Sequence, residues 1–577
     1  MLILGISDTI DAGAALVQDG RILAAVNEER LSRRKFHTGF PARSIPEVLR
    51  IAEVRPEEVQ MCSYAGRTLS LCTDPDEESF ERRNPSKRLA SLLARTGLLR
   101  PLLGSEIGLS AYRAALNPPF RLKLRRVSKH LHDAGFRAGL ETVDHHSAHA
   151  AAAACTNGWQ DCLICTLDAS GDGYCALIAQ KRNGRICESQ RVGAFHSLGV
   201  FYLYVTLLLG FRPGREGKVT GMAAYGDPAG TIEVFRQHCR FSEKTGCFRN
   251  DALGYACDYG ALKRDLRGFK KEDIAAGIQR HFEDSITRWV AHHVRKSGLP
   301  RVALSGGVFA NVRVNQCLRE RPEIEDIYVF PHMGDGGGAV GAAMHTCQQR
   351  AGDAFREAAF DNVYFGPSFG NDEIRSAIGS FPNLRCRPCD DPEAELACAI
   401  ADGKIVGRFS GRMEYGPRAL GNRSILYRGT DATVREWLNN RLGRSKHMPF
   451  APAILEEHAA ECLKGWRSDQ RAAWFMTTAY DALPAFRRAA PGVVHVDGTT
   501  RPQVLRRSSN PDYHRLLSEY HRLTGLPFVL NTSFNLHEEP IVCTPEDALR
   551  AFQHAELDML SLEQMIVEPA GRPANEV

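Results

Sequence analysis

Two histidines four residues apart, His145 and His149, stand in the run Val143-Asp144-His145-His146-Ser147-Ala148-His149, with alanines from 150 to 154 behind them. The alanines favour helix, which sets both imidazoles on one face. Two imidazoles at that spacing suit one metal ion, although such a pair also serves plain packing. His146 points elsewhere and is placed to support the ligands. Much later, His332-Met333-Gly334-Asp335-Gly336-Gly337-Gly338 offers a carboxylate in a sterically open loop. Two histidines and Asp335, with coordination positions left over, suit Fe(II) or Zn(II) holding a substrate oxygen.

A second kind of chemistry lies between Lys404 and Arg428. Six basic residues, Lys404, Arg408, Arg412, Arg418, Arg423 and Arg428, face only Asp402 and Glu414 over 401–428. They alternate with glycine, proline and apolar residues rather than with other charges. Arginine is the usual fork for bidentate phosphate contacts, so an anion pocket is expected, with Arg418 its main contact. The competing reading is a solvated basic face.

The elements that must carry these groups show a repeat. Leu2–Ile6 is strand-like, Ser7–Gly13 is an acidic turn, Ala14–Gln18 is a strand, and Asp19-Gly20 signals a hairpin into Arg21–Asn27. The same order returns at Leu163–Leu167, Asp168–Gly173, Tyr174–Gln180, Asn183-Gly184 and Ile186–Val192, with Asp8 matching Asp168 and Gly13 matching Gly173. Val302–Leu304 then leads through Ser305-Gly306-Gly307 to Asn311 and a helix-like segment. Tandem units of this kind resemble the actin/sugar-kinase/Hsp-seventy superfamily, which binds ATP between two similar lobes. The resemblance implies an α/β fold, a duplicated actin-like/sugar-kinase-like (ASKHA) N-terminal module. Glycine lets backbone N–H groups close on phosphate, and aspartate holds a cation beside it.

Composition sets the bounds. The chain has 577 residues, 73 basic and 68 acidic, for a net charge of +5. That balance gives no ground for a nucleic-acid or membrane protein, and nucleic acid is not the expected partner. The most apolar run, near Phe201–Phe211, is about half of what a spanning helix needs. The start carries no basic region before its apolar stretch, and the 17 cysteines read as reduced thiols, so a cytoplasmic location is expected. Cys162/Cys165 and Cys386/Cys389 have CxxC spacing but lack the surroundings of a metal site.

Longer motifs narrow the reading. The HxxxH helix, the Gly-Asp-Gly loop and Ser305-Gly306-Gly307-Val308 resemble the TsaD-like threonylcarbamoyl-transferase lobe. Glu216-Gly217-Lys218-Val219-Thr220-Gly221 is similar to the nucleotide-side motif of NodU/CmcH/TobZ-type O-carbamoyltransferases. Gly411–Ser424, Met448–Pro452, His495–Gln503, Asn531–Asn535 and Glu539–Val542 strengthen that narrower resemblance. It implies a TsaD-like module over 1–350, with lobes at about 1–155 and 156–350. A linker over 351–365 and a YrdC-like α/β module over 366–577 would follow.

The resemblance also implies roles. The C-terminal module would turn carbamoyl phosphate and ATP, with Mg(II), into carbamoyl adenylate, and the N-terminal module would pass the carbamoyl group to a small-molecule hydroxyl. Nucleotide contacts are expected at Asp168, Gly171, Gly173, Lys218, Gly221, Gly306, Gly307 and Asn311. Carbamoyl phosphate contacts are expected at Arg418, Arg423, His495, Arg501, Asn531, Ser533 and Asn535. Arg418 is expected to act in catalysis as well. Asp11, His146 and Asp172 are the candidates for the base. Two departures stand out: Ile10 occupies a position where relatives often carry histidine, and a Lys-x-Arg-Glu element is missing near Arg441–His447. A tRNA-modifying carbamoyltransferase and a non-catalytic nucleotide-binding regulator are the alternatives, and a homodimer is one expectation for assembly. Arg82–Leu131 reads as a basic helical insertion that either covers the acceptor pocket or is solvated.

Overall fold

The duplicated hairpins open two sheets of the same order. In the computed structural model, which describes residues 1–68, 106–250, 259–352, 355, 357, 359–443 and 449–570, the first sheet contains β1 (Leu2–Ser7), β2 (Gly13–Gln18), β3 (Arg21–Asn27), β4 (Met61–Ala65) and β5 (Gly139–Val143). Their order is β3-β2-β1-β4-β5, with β1 antiparallel to β2 and parallel to β4. The second sheet contains β6 (Cys162–Gly171), β7 (Tyr174–Arg182) and β8 (Arg185–Gly193). A separate hairpin, β9 (Cys239–Ser242) and β10 (Cys247–Asn250), precedes its remaining strands, β11 (Arg301–Ser305) and β12 (Asp326–Val329). Its order, β12-β11-β6-β7-β8, repeats the first, with β6 parallel to β11 and antiparallel to β7. The two hairpin turns agree as well. Asp19 and Gly20 have φ of 50° and 84°, and Asn183 and Gly184 have 49° and 78°, as a type I′ turn demands. The duplication that the two hairpins imply is thus present, within an α/β fold.

Helix His145–Ala154 is buried along its whole length because it is sandwiched. A Cβ on Gly341, in helix Gly338–Ala351, would meet the Ala148 carbonyl at 2.1 Å. The two helices therefore touch backbone to backbone, and only alanine-sized neighbours fit. The apolar run near Phe201 forms helix Leu198–Leu208. Among the described residues no helix is long and apolar enough to cross a membrane.

The chain divides into two compact units. One is Met1–Ala25 with Thr38–Phe360; the other is Val26–His37 with Asp361–Val577. The second unit thus takes in a short piece from near the start of the chain, which a single cut between 350 and 366 does not include. Its main sheet has the order β13-β22-β21-β14-β15-β20-β16-β19. The strands are β13 (Leu384–Pro388), β14 (Val406–Phe409), β15 (Arg423–Tyr427), β16 (Ala451–Leu455), β19 (Gln503–Leu505), β20 (Phe528–Ser533), β21 (Met559–Leu562) and β22 (Met565–Pro569), with a small pair, β17 (Tyr480–Asp481) and β18 (Thr499–Thr500), alongside. Strand alternation builds two cores from one sheet. Leu426, Leu455 and Val529 pack beneath Leu396, Leu516 and Tyr520 of the helices over one face. Ile425, Ile454 and Phe528 point to the other.

Candidate metal centre and anion pocket

Asp144 starts the HxxxH helix as its cap, accepting from the N–H groups of His146 and Ser147 at 3.1 and 3.2 Å. His145 and His149 then share a face, and four side chains converge there: His145, His149, Asp168 and Asp335, with ligand atoms all within 4.8 Å of one another. His145 Nε2 and His149 Nε2 each lie 3.3 Å from Asp168 Oδ2 and 3.7 Å from Asp335 Oδ1. Asp168 ends the apolar run of β6 as Asp335 opens its glycine loop, so two lobe-two elements face one helix. A Cβ on Gly171 would meet the His145 ring at 2.0 Å, so only glycine lets that ring in.

Asp168 and Asp335 draw protons onto both imidazoles at this cluster. Burial disfavours a charged His145, but Asp335 and Asp168 outweigh it and push the imidazole up to about 10. Burial raises the Asp335 carboxyl, and the nearby Asp168 adds to that. His149 Nε2 is buried and makes no hydrogen bond, while its Nδ1 lies 3.1 Å from the Ser305 hydroxyl. Against its burial, Asp168 and Asp335 push His149 up as well; in its neutral form, with Nδ1–H donated to Ser305, it turns its Nε2 lone pair toward both carboxylates. An orphaned buried nitrogen among two imidazole and two carboxylate donors fits a divalent transition ion. Asp168, expected beside a nucleotide phosphate, thus stands among the candidate metal ligands.

His146 is fully buried with Nδ1 2.8 Å from Thr166 Oγ1. Burial, helped by His145 and His149, pushes it down to about 3 and keeps it neutral. Asp172 accepts from Arg67 N, Thr68 N, Thr68 Oγ1 and His145 N, tying the helix start to the chain after β4. Asp11 and Asp172 both hold left-handed backbone, φ 59° and 51°, at the tips of the two repeated turns. Asp8, the repeat partner of Asp168, binds Lys123 at 2.8 Å and Tyr64 instead of histidines.

Lys123 belongs to helix Glu106–Asp133, the described part of the basic insertion; 69–105, which include Arg82-Arg83 and Lys87-Arg88, lie outside the described residues. That helix is not simply solvated. Leu109 covers Gly173, Phe120 is buried near Tyr64, and Arg113 approaches Asp144 at 3.8 Å.

The remaining nucleotide candidates spread along lobe two. A Cβ on Gly307 would come within 3.0 Å of Asp168 Oδ1, and Gly306 (φ 104°) leaves the carbonyl of Leu167 unobstructed. Lys218 and Gly221 lie on helix Glu216–Ala223, with the Lys218 ammonium 5.7 Å from the Phe211 ring. Asn311 caps helix Val312–Arg319 and donates to Gln279 at 2.9 Å. Gln279 also accepts from Tyr202, at 2.9 Å.

In the second unit the basic residues separate sharply. Arg423 is fully buried over the Phe409 ring, and its Nη1 and Nη2 donate to the carbonyls of Ser410, Gly411, Asn422 and Pro367. Arg408 and Arg412 likewise serve neighbouring carbonyls. Arg418 differs: it is half-buried, its Nε makes no hydrogen bond, and burial pushes its guanidinium down to about 10. Arg501 is the same kind of residue, depressed well below its ordinary value by burial and then by Arg418. Among the described residues no carboxylate pairs with either. Two half-buried cations close enough to depress one another, with no carboxylate partner among the described residues, are suited to an anion.

Asn531 and Gln503 hold the backbone just after Arg418. Asn531 Nδ2 donates to Gln503 Oε1 at 2.8 Å and to the Ala419 carbonyl at 3.3 Å, while Gln503 donates to Leu420 at 2.8 Å. Ser533 and Asn535 bond each other at 2.6 Å at the end of β20. His495 faces Asp497 at 3.4 Å, which with Thr499 holds that carboxyl low despite burial. Met448 and Arg444–His447 lie outside the described residues. The sequence reading passed over Asn27–Arg33, whose charge run looks solvated but is buried at Glu28, Glu29 and Arg30. Its signal in the sequence is a dense cluster of charge directly after a strand.

Comparison with known proteins bears on both units. The family description "Carbamoyltransferase N-terminus" matches residues 2–344 and "Carbamoyltransferase C-terminus" matches 397–569. The nodulation protein NolNO of Sinorhizobium fredii is 32% identical over 97% of this chain and 79% of its own. The nodulation protein NolO of Bradyrhizobium diazoefficiens is 33% identical over 75% of this chain and 80% of its own. Among solved structures, component A of the Acidaminococcus fermentans (R)-2-hydroxyglutaryl-CoA dehydratase covers 61% of this chain and 99% of its own, at 18% identity and a TM-score of 0.33. Full-length HypF in its phosphate- and nucleotide-bound form covers 62% of this chain and 47% of its own, at 13% identity and a TM-score of 0.31. With both halves of the chain matched in order, this protein belongs to the carbamoyltransferase family.

Proposed function

We propose that the chain is an ATP-dependent O-carbamoyltransferase for a small-molecule hydroxyl. The observation that carries this reading is the pair Arg418 and Arg501, two adjacent cations with no carboxylate partner among the described residues. They bind the phosphate of carbamoyl phosphate, and Asn531 and Gln503 hold the backbone around them. One water attacks the carbamoyl carbon there, its bond to the phosphate oxygen breaks, and carbamate and inorganic phosphate result. A carbamate oxygen attacks the α-phosphorus of ATP and expels pyrophosphate, giving carbamoyl adenylate. Carbamate decomposes in water, so enclosure of this step matters.

In the first unit the acceptor hydroxyl attacks the carbamoyl carbon, and AMP leaves. His145, His149, Asp168 and Asp335 would hold a divalent ion, Fe(II) or Zn(II), which supplies polarisation of the carbamoyl donor. Ser305 keeps the His149 lone pair directed inward. The hydroxyl proton needs a base. His146 is sealed and neutral, which leaves Asp11 and Asp172, at the tips of the two repeated turns, as the candidates. Mg(II) accompanies ATP, and the reaction is assigned to the cytoplasm.

Calorimetric titration of carbamoyl phosphate into the full-length protein tests the reading. Arg418→Ala and Arg501→Ala should each weaken binding about 10- to 100-fold, the worth of one charged contact. Equal affinity in all three proteins would contradict it.

A further inference from the structure

We propose that Arg30 is a positioning residue for carbamoyl phosphate: from a segment next to β3, it fixes the backbone of the loop that carries Arg418. This rests on the reading of Arg418 and Arg501 as phosphate contacts.

The segment Val26–His37 folds with the second unit. Arg30 is only 6% exposed, and burying a guanidinium is costly unless it is paired and hydrogen-bonded. Its Nη1 lies 3.0 Å from Glu29, itself buried, and its Nη2 donates to the Gly416 carbonyl at 2.8 Å. Glu29 in turn accepts from Phe36 N at 2.9 Å, so the pair is fixed from behind. Leu31 packs on Met413, Ala419, Ile541 and Cys543. Arg33 donates to the carbonyls of Ile541 and Pro540 at 2.8 and 2.9 Å and meets Asp547 at 3.3 Å.

The place Arg30 holds matters. Gly416 has φ 133°, a conformation other residues rarely adopt, and Pro417 restricts the next peptide. Other groups anchor the loop on both sides. Tyr415 N donates to Val363, Asn531 reaches Ala419, and Leu420 N donates to Glu414, at 2.7, 3.3 and 2.8 Å. Arg30 secures the carbonyl two residues before Arg418, where the chain turns. Without that anchor the peptide rotates and Arg418 loses its aim at Arg501's anion, while the surrounding core stays. Misplacement of a binding group by a fraction of an ångström costs affinity steeply.

The test uses the full-length protein and follows carbamoyl-phosphate-dependent pyrophosphate release. Arg30→Met should raise the KM for carbamoyl phosphate about tenfold with kcat within about twofold, the signature of lost binding rather than lost chemistry. Arg30→Lys, which keeps the charge and a donor, should recover most of it. Glu29→Gln loosens Arg30 without deleting it and should raise KM about threefold; it decides the matter if Arg30→Met does not fold. A wild-type KM in Arg30→Met or in Glu29→Gln overturns the proposal. Wild-type binding in Arg418→Ala instead removes the reading of the pocket itself.

Discussion

Ser305 touches two parts of the histidine-aspartate cluster at once. Its hydroxyl lies 3.1 Å from Nδ1 of His149 and donates to the Met333 carbonyl at 3.3 Å, two residues before Asp335. One buried side chain therefore orients an imidazole and braces the loop bearing a carboxylate. Ser305→Ala should weaken divalent-metal affinity about tenfold, as loss of such supporting contacts commonly does. Chelator competition would measure it. Unchanged affinity would show that His149 keeps its orientation without the hydroxyl.

Arg418 and Arg501 predict a conflict between stability and binding. Each is a half-buried cation with no carboxylate partner among the described residues, so replacing one by an apolar residue should stabilise the ligand-free protein by about 1 kcal/mol. Arg418→Met should therefore melt higher than wild type and gain nothing from added phosphate. Wild type should gain with phosphate concentration. A lower melting temperature for Arg418→Met would mean that the guanidinium has a structural partner.

His281, 2% exposed, packs beside Phe235 and Phe201. Burial pushes it down from 6.5 to about 4. The unfolded chain therefore binds the proton first as pH falls, and stability drops between 6.5 and 4 rather than above that window. The loss from this residue reaches about 3 kcal/mol at the acid end. Urea unfolding at pH 7 and 4.5 should show a smaller acid loss in His281→Leu than in wild type. Parallel losses would assign the acid sensitivity elsewhere.

Lys123 and Asp8 form a 2.8 Å pair in which Asp8 is nearly buried. Lys123→Met leaves that carboxylate short of a counter-charge and should cost about 2 kcal/mol. Adding Asp8→Asn should return about 1 kcal/mol of it, since the two residues are in contact. Additive losses would mean that the ammonium is solvated and the helix Glu106–Asp133 is not anchored there.

The sequence made much of this visible. The HxxxH spacing, the two Asp-bearing turns and the Asp335 loop are local patterns, and each is where its elements required. Hairpin chemistry at Asp19-Gly20 and Asn183-Gly184 is local too. What was hidden depends on contacts far apart in the chain. Asp168 reads equally as a phosphate neighbour or a metal ligand until the end of β6 is known to face His145. Arg418 and Arg423 are alike in sequence, five residues apart in one basic stretch, yet only Arg423 is enclosed by carbonyls. Glu29 and Arg30 look like solvent-facing charges because pairing inside a core leaves no periodic trace.

The central claim is that this chain activates carbamoyl phosphate by adenylation. Carbon-13-labelled carbamoyl phosphate should be mixed anaerobically with full-length protein, divalent metal and ATP, without acceptor, and followed by NMR with nucleotide analysis. The account predicts label in a carbamoyl adenylate, with one pyrophosphate and one inorganic phosphate formed for each. Label that never reaches an adenylate, with ATP turned over only to ADP, would contradict it.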